Sequence, residues 1–374
     1  MSTIEAVCEA AREHAEDGEA QRALAPEVVR AAKDAGLFCL GLPASLGGLG
    51  GSPADCVEAV EAVAHADGAA GWCAFIGNAT SFYGWLAPDV AREHLTGAPG
   101  IAAASIFGPM GVALPAGTGS YRVEGRWGFA SGCLHSELIQ VGVMVMDGEG
   151  PAMRSDGNVD WRFAYLRAED LEVVDTWDTI GLRGTGSNDV VASGVVVAEE
   201  HLAMPMFDPP KAEDPIFQFG FWGLLPTLMA PFLLGVARRG LDELEEVLRN
   251  EPERPGRAHN KTDPQVHFEL GRARGVVLAA RAGLDDAIGR AWDTVQAGRP
   301  AGQAEHDRLA LAMHHSLGAG LDAVDVAYRF GPSGVVRHGD PIQRCFRDLH
   351  TARKHVGFGL DGYRGTSRRA LGLE

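Results

Sequence analysis

Apolar positions along the chain follow three successive patterns. Up to about residue 97 they recur at helical spacing. Pro26 opens one helix in its first turn and Gly36 closes it. Residues Asp55 to Ala66 place Val57, Val60 and Ala64 on one face before Asp67-Gly68 ends the run. From about residue 98 to 204 the pattern changes to short strands. Tyr121 to Glu124 alternates, Val141 to Met146 stops at Asp147-Gly148, and Val195 to Val197 precedes an acidic break. Glycine punctuation at short intervals predicts an antiparallel β-barrel or sandwich. No helices alternate with these strands, which argues against a doubly wound sheet. Gly181-Leu182-Arg183-Gly184-Thr185-Gly186 lacks a Gly-x-Gly-x-x-Gly phosphate loop and leads into a strand, not a helix. After a proline-rich connector, Pro205 to Pro215, the pattern is helical again. Asp263-Pro264 starts a helix whose Val266, Leu270, Ala273, Val277, Ala280 and Leu284 repeat at 4-3-4-3-4 spacing, suited to antiparallel packing in a bundle. The expectation is an α+β chain: an N-terminal helical domain (1–97), a central β domain (98–204) and a C-terminal four-helix-bundle domain (205–374).

Charge and composition narrow the function. A net charge of −17 over 374 residues argues against nucleic-acid and anionic-lipid surfaces. The longest apolar region, Phe217 to Val236, is interrupted by Gly220, Gly223, Pro226 and Pro231 and reads as a buried helix, not a membrane span. The N-terminal segment, with Glu5, Glu9 and Glu13, lacks a basic-then-apolar export pattern, and the six cysteines are scattered without a Cys-x-x-Cys pair. Both point to a reduced, cytoplasmic protein. No His-x-x-x-His or Glu-x-x-His occurs, and the adjacent His314 and His315 face apart on a helix, so no metal centre is expected.

Several stretches carry a family likeness. The run from Ala35-Gly36-Leu37 through Pro43 to Gly47-Gly48-Leu49-Gly50, the strand Gly125 to Gly132, and Arg347-Asp348 followed by Gly357 resemble acyl-CoA dehydrogenases in order along nearly the whole chain. Aligned on Arg347-Asp348 and Gly357, Val356 falls where that family carries its catalytic glutamate, and His355 stands beside it. A valine cannot remove an α-proton, whereas a histidine can exchange protons near neutral pH. Other dehydrogenase marks are missing. Residues 101–111 lack the flavin-strand pattern, Phe217 to Leu241 holds no Asp or Glu, and Arg249-Asn250-Glu251-Pro252-Glu253-Arg254 replaces an Arg-x-x-Phe diphosphate signature. Asp67-Gly68-Ala69-Ala70-Gly71-Trp72, Phe129-Ala130-Ser131-Gly132 and Arg347-Asp348 with His355 instead resemble the two-component flavin monooxygenases built on the same fold.

That resemblance implies an oxygenase component using reduced flavin from a separate reductase and O2, through a C4a-hydroperoxyflavin, on a small organic substrate, aromatic or a natural product. Ser131 would hydrogen-bond the flavin N5 edge and His355 would be the acid or base. Phe129, Arg183, Thr185, Ser187 and Arg254 are candidate cofactor contacts, and Trp72, His135 and Phe221 candidate pocket residues. The absent diphosphate signature favours FMN, with FAD the alternative. The family habit implies a homotetramer. His350, five residues before His355 on the same predicted helix, points about 140° away and is read as structural. An acyl-CoA dehydrogenase-like FAD enzyme with a displaced base and a silent subunit of a hetero-oligomer stay open.

Overall fold

The computed structural model describes residues 3–148, 150–251, 260–359 and 361–373. Six helices come first: α1 (Thr3–Glu13), α2 (Ala15–Gln21), α3 (Pro26–Asp34), α4 (Pro53–Ala66), α5 (Gly68–Gly77) and α6 (Pro88–His94). The start of α4 is fixed locally. Ser52 and Asp55 form a reciprocal capping box and Pro53 occupies the first turn. Strands β1 (Ala103–Gly117), β2 (Ser120–Ala130), β3 (Leu138–Asp147), β4 (Gly150–Pro151), β5 (Trp161–Arg167), β6 (Glu172–Val174), β7 (Asn188–Ala198) and β8 (Leu202–Ala203) follow. Helices α7 (Phe221–Arg249), α8 (Pro264–Gln296), α9 (Gln303–Phe330), α10 (Pro341–Ala352) and α11 (Asp361–Ala370) end the described chain.

The strands form one sheet in the order β6-β7-β2-β1-β3-β5-β8, with β4 on β3. It differs in detail from an antiparallel barrel or sandwich. The sheet is open and mixed, because β1 runs parallel to β3, Ala103 beside Leu138. Alternating hydrophobicity shows that a segment is a strand but not which way its neighbour runs. Here β2 folds back on β1, and residues 131–137 then step past the start of β1 to reach its other side. Backbone bonds from Glu137 and Leu138 to the Ala102 carbonyl fix that crossing. A separate core inside the sheet gathers Trp127, Ile139, Val141 and Val190, and the Trp127 indole donates to the Gly142 carbonyl at 2.7 Å.

The larger core joins the helices on both sides of the sheet in sequence, from Val7 to Phe358. Helix α7 is long and apolar enough to cross a bilayer by length and composition, but most of it is buried between α4 and α9. It runs unbroken through Pro226 and Pro231, and Thr227 Oγ1 donates to the Gly223 carbonyl at 2.9 Å. In α8 the side chains of Val266, Ala273, Val277, Ala280 and Leu284 are buried, with Leu270 half-buried beside them.

Candidate functional site

The site begins at the junction of α4 and α5. Asp67 caps α5 by accepting from the Ala70 N–H at 2.9 Å. Gly68 leaves the room that Asp348 fills: a Cβ there would lie 2.5 Å from Asp348 Oδ2 and force that carboxyl to move. One turn on, Trp72 is 4% exposed and its Nε1–H donates to Ser131 Oγ at 3.0 Å. The same indole meets His355 edge-on, ring centres 5.4 Å apart at 73°, and packs against Phe75 and Phe232. Trp72 therefore links Ser131 and His355, which lie far apart in sequence.

Ser131 sits in the crossing after β2. Pairing of β2 with β7 puts Ala130 opposite Asn188, so Ser131 meets the loop that precedes β7. Its hydroxyl lies 2.7 Å from Ser187 Oγ, which lies 2.6 Å from Thr185 Oγ1, which donates to the Leu182 carbonyl at 2.8 Å. All three hydroxyl residues are buried. Thr185 and Ser187, read from sequence as cofactor contacts, commit their hydroxyls to this chain and stand behind Ser131.

The loop owes its shape to α10. Leu182 adopts φ 52°, a left-handed conformation that L-residues hold only under constraint. Its N–H donates to Asp348 Oδ1 at 2.6 Å, and its carbonyl also accepts from Trp177 Nε1 at 2.9 Å. At Gly181 a Cβ would stand 2.3 Å from the Arg347 carbonyl oxygen, so only glycine lets the two segments meet. Arg183 is tied down locally, by Asp178 and the Thr179 carbonyl, each at 2.8 Å. It is a loop fastener in this arrangement.

His355 does not share a helix with His350. Helix α10 stops at Ala352, and His355 begins the next short turn, where its Nδ1 accepts from the Gly357 N–H at 3.0 Å. The 140° offset expected for two residues of one helix therefore does not apply, although His350 does point elsewhere, bonding Asp325 at 2.8 Å and lying against Phe346. Burial lowers the His355 pKa to about 4, below the ordinary value of a histidine. At neutral pH the ring is uncharged, and with Nδ1 accepting, its proton resides on Nε2. This state is a hydrogen-bond donor, a different starting point from a group titrating near 6.5.

The remaining candidates divide. His135 stacks on Phe38 at 5.5 Å and lies beside Gly132; burial, with the Lys33 charge, lowers its pKa to about 4. Phe129 has φ 64° and is 75% exposed, its ring edge-on to Trp177. A strained phenylalanine facing solvent two residues from Ser131 fits a stacking surface. Phe221 lies in another aromatic cluster with Phe82, Phe107 and Trp222. Arg254 lies outside the described residues.

Sequence reasoning missed two buried acids as site residues. Asp348 is 3% exposed, and burial, reinforced by the charge of Asp67, pushes its pKa up to about 7. Burial also raises that of Asp67. Both lay inside motifs singled out by likeness, but a lone Asp before glycine or after arginine reads as a helix cap or a surface charge. Asn188 was missed as well; its Oδ1 accepts from the N–H groups of Thr176 and Trp177, each at 3.0 Å. In their chemistry these residues fit a planar heterocycle bearing an N–H: Ser131 Oγ as an acceptor, the Trp72 indole bonded to that oxygen, and an exposed phenylalanine two residues away at Phe129.

Comparison with known proteins bears on this arrangement. Residues 2–88 match the acyl-CoA dehydrogenase N-terminal domain and residues 227–359 the acyl-CoA dehydrogenase C-terminal domain. The indole-3-acetate monooxygenase of Pseudomonas putida is 28% identical over 99% of this chain and 94% of its own. The crystal structure of 3-HSA hydroxylase from Rhodococcus sp. RHA1 superposes with a TM-score of 0.92 at 23% identity, covering 100% of this chain and 97% of that one. XiaF from Streptomyces sp., solved in complex with FADH2 and glycerol, gives a TM-score of 0.88 at 22% identity over 100% and 95%.

Proposed function

We propose, for a chain that belongs to the acyl-CoA dehydrogenase superfamily, that it is the oxygenase component of a two-component flavin-dependent monooxygenase acting on a small aromatic compound. The observation that carries this reading is the meeting of Ser131, Trp72 and His355 beside Val356, where a dehydrogenase would hold its carboxylate. Val356 itself is 78% exposed. Helix α7 offers no substitute acid before Asp242.

Reduced flavin, when bound, supplies the electrons that activate O2 and allow one oxygen atom to be transferred. The chain's own residues do the rest. Ser131 Oγ would offer a lone pair to the N5 edge of a bound reduced flavin, and Trp72 fixes that oxygen by donating to it. His355 holds a proton on Nε2 and presents it as a donor, while its neutrality avoids burying a cation. Phe75, Phe232 and Phe358 surround these groups and exclude water. This aromatic wall, with the substrate named for the Pseudomonas relative, supports a flat aromatic substrate.

The replaced diphosphate signature supports FMN; the FADH2 complex of XiaF supports FAD as the second reading. Reductase supply follows from the two-component likeness. The test supplies reduced flavin chemically, adds O2 and a panel of phenols and indoles, and follows 18O from labelled O2 into product. Labelled product supports the proposal. Oxidation of acyl thioesters by a tightly held yellow FAD, or the absence of any flavin binding, overturns it.

A further inference from the structure

The hydroxyl chain behind Ser131 has a direction. Three oxygen–oxygen contacts, Ser131 to Ser187, Ser187 to Thr185 and Thr185 to the Leu182 carbonyl, must be served by three hydroxyl hydrogens. A carbonyl only accepts, so the Thr185 hydrogen goes to Leu182. The contact at 2.6 Å then takes the Ser187 hydrogen, and the contact at 2.7 Å takes that of Ser131. Trp72 Nε1 has no acceptor capacity, so Ser131 accepts from it. Each hydrogen is committed along the chain toward Leu182, which leaves Ser131 one lone pair and no hydrogen for a further partner. All four side chains are at least 95% buried, so water does not readily relieve the arrangement.

Reduced flavin carries N5–H, a donor; oxidised flavin has a bare N5, an acceptor. We propose that the Trp72–Ser131–Ser187–Thr185 chain is a redox-state selector that locks Ser131 as an acceptor, so that the site receives reduced flavin and releases oxidised flavin. This rests on the reading that Ser131 faces N5. Thr185 and Ser187 are then positioning residues acting through Ser131. Binding oxidised flavin would set lone pair against lone pair, or require every hydroxyl to turn and leave the Leu182 carbonyl without one of its donors. The selector also suits a protein that must exchange flavin with a reductase on each turnover: the spent form is the one the site rejects.

The experiment measures dissociation constants of oxidised and anaerobically reduced FMN and FAD for the parent, Ser187→Ala, Thr185→Val and Ser131→Ala. The parent should bind reduced flavin at least tenfold more tightly; each tenfold raises the two-electron potential of the bound flavin by about 30 mV above that of free flavin. Ser187→Ala frees the Ser131 hydrogen to turn outward, so oxidised flavin should gain affinity and the ratio should fall severalfold. Thr185→Val, close in shape, should do the same by removing the end of the chain, and serves if the first variant does not fold. If Ser131→Ala weakens reduced flavin while Ser187→Ala and Thr185→Val keep the parental ratio, the selector is wrong and the N5 reading stands. If Ser131→Ala changes neither affinity, the N5 reading itself fails and the selector with it.

Discussion

Replacing Asp348 with asparagine isolates the effect of one buried carboxyl on the loop that holds the hydroxyl chain. The side-chain amide of the Asp348→Asn variant would keep an oxygen for the Leu182 N–H, now bonded at 2.6 Å, and would remove the ionisation. Burial and the Asp67 charge push the Asp348 pKa up to about 7, whereas an unfolded aspartate titrates near ~3.9. The folded pKa is the higher one, so the folded state holds the proton where the unfolded state has lost it. Stability attributable to this group is thus intact below pH ~4 and falls as pH rises to about 7, by ~4 kcal/mol in all at about 1.36 kcal/mol per unit. Roughly two of those three units lie between pH 5 and 8, so the variant should gain about 3 kcal/mol on the parent over that interval. Urea-denaturation midpoints at pH 5, 6, 7 and 8, with m-values checked for constancy, measure the difference. Titrating groups that do not act on Asp348 are common to both proteins and cancel, and Asp67, whose charge does act on it, loses that repulsion in the variant. Parallel curves for parent and variant would show that Asp348 is ionised in the folded protein and would refute the reasoning.

Three further outcomes are expected. His355→Ala should leave flavin binding nearly intact and cut product formation by roughly 10²–10⁴-fold, whereas His350→Ala, whose ring bonds Asp325 in the parent, should retain near-parental rates; single-turnover product yields compare them. Because the His355 pKa is lowered to about 4, the parental rate should show no inflection from this group between pH 6 and 8; an inflection near 6.5 that vanishes in His355→Ala would contradict it. Gly181→Ala should cost about 2 kcal/mol or more and weaken reduced-flavin affinity, because its Cβ meets backbone, not a movable side chain; calorimetric titration with unchanged affinity would count against the role given to the loop.

The helical parts were legible because their signals are local. The Pro26 and Asp263-Pro264 starts and the 4-3-4 repeat of α8 each lie within a few residues of what they specify. The parallel pairing of β1 with β3 was not legible, since it depends on where residues 131–137 carry the chain. Ser131, Trp72 and His355 were picked out by motif, but what joins them is tertiary. Ser131 meets Ser187 through the β2–β7 register and Trp72 through the seating of α5. The end of α10 was invisible because no glycine or proline precedes His355; the turn forms as the Lys354 and His355 N–H groups bond back to Thr351 and Ala352. The buried acids were missed because nothing local distinguishes a carboxylate sealed by a neighbouring element from one in water.

The bonds that assemble the site span 59, 56 and 166 residues, from Trp72 to Ser131, Ser131 to Ser187 and Leu182 to Asp348. Closing such long loops costs entropy before any of the contacts offsets it, so these contacts are expected to form after the local helices. An intermediate with its helices formed and α10 still undocked lacks the acid that shapes the 182–187 loop, and with it the aimed oxygen of Ser131. On the role proposed for Ser131, affinity for flavin would belong to the finished chain, and a partly folded molecule would not sequester a redox-active ligand where O2 could reach it unguarded.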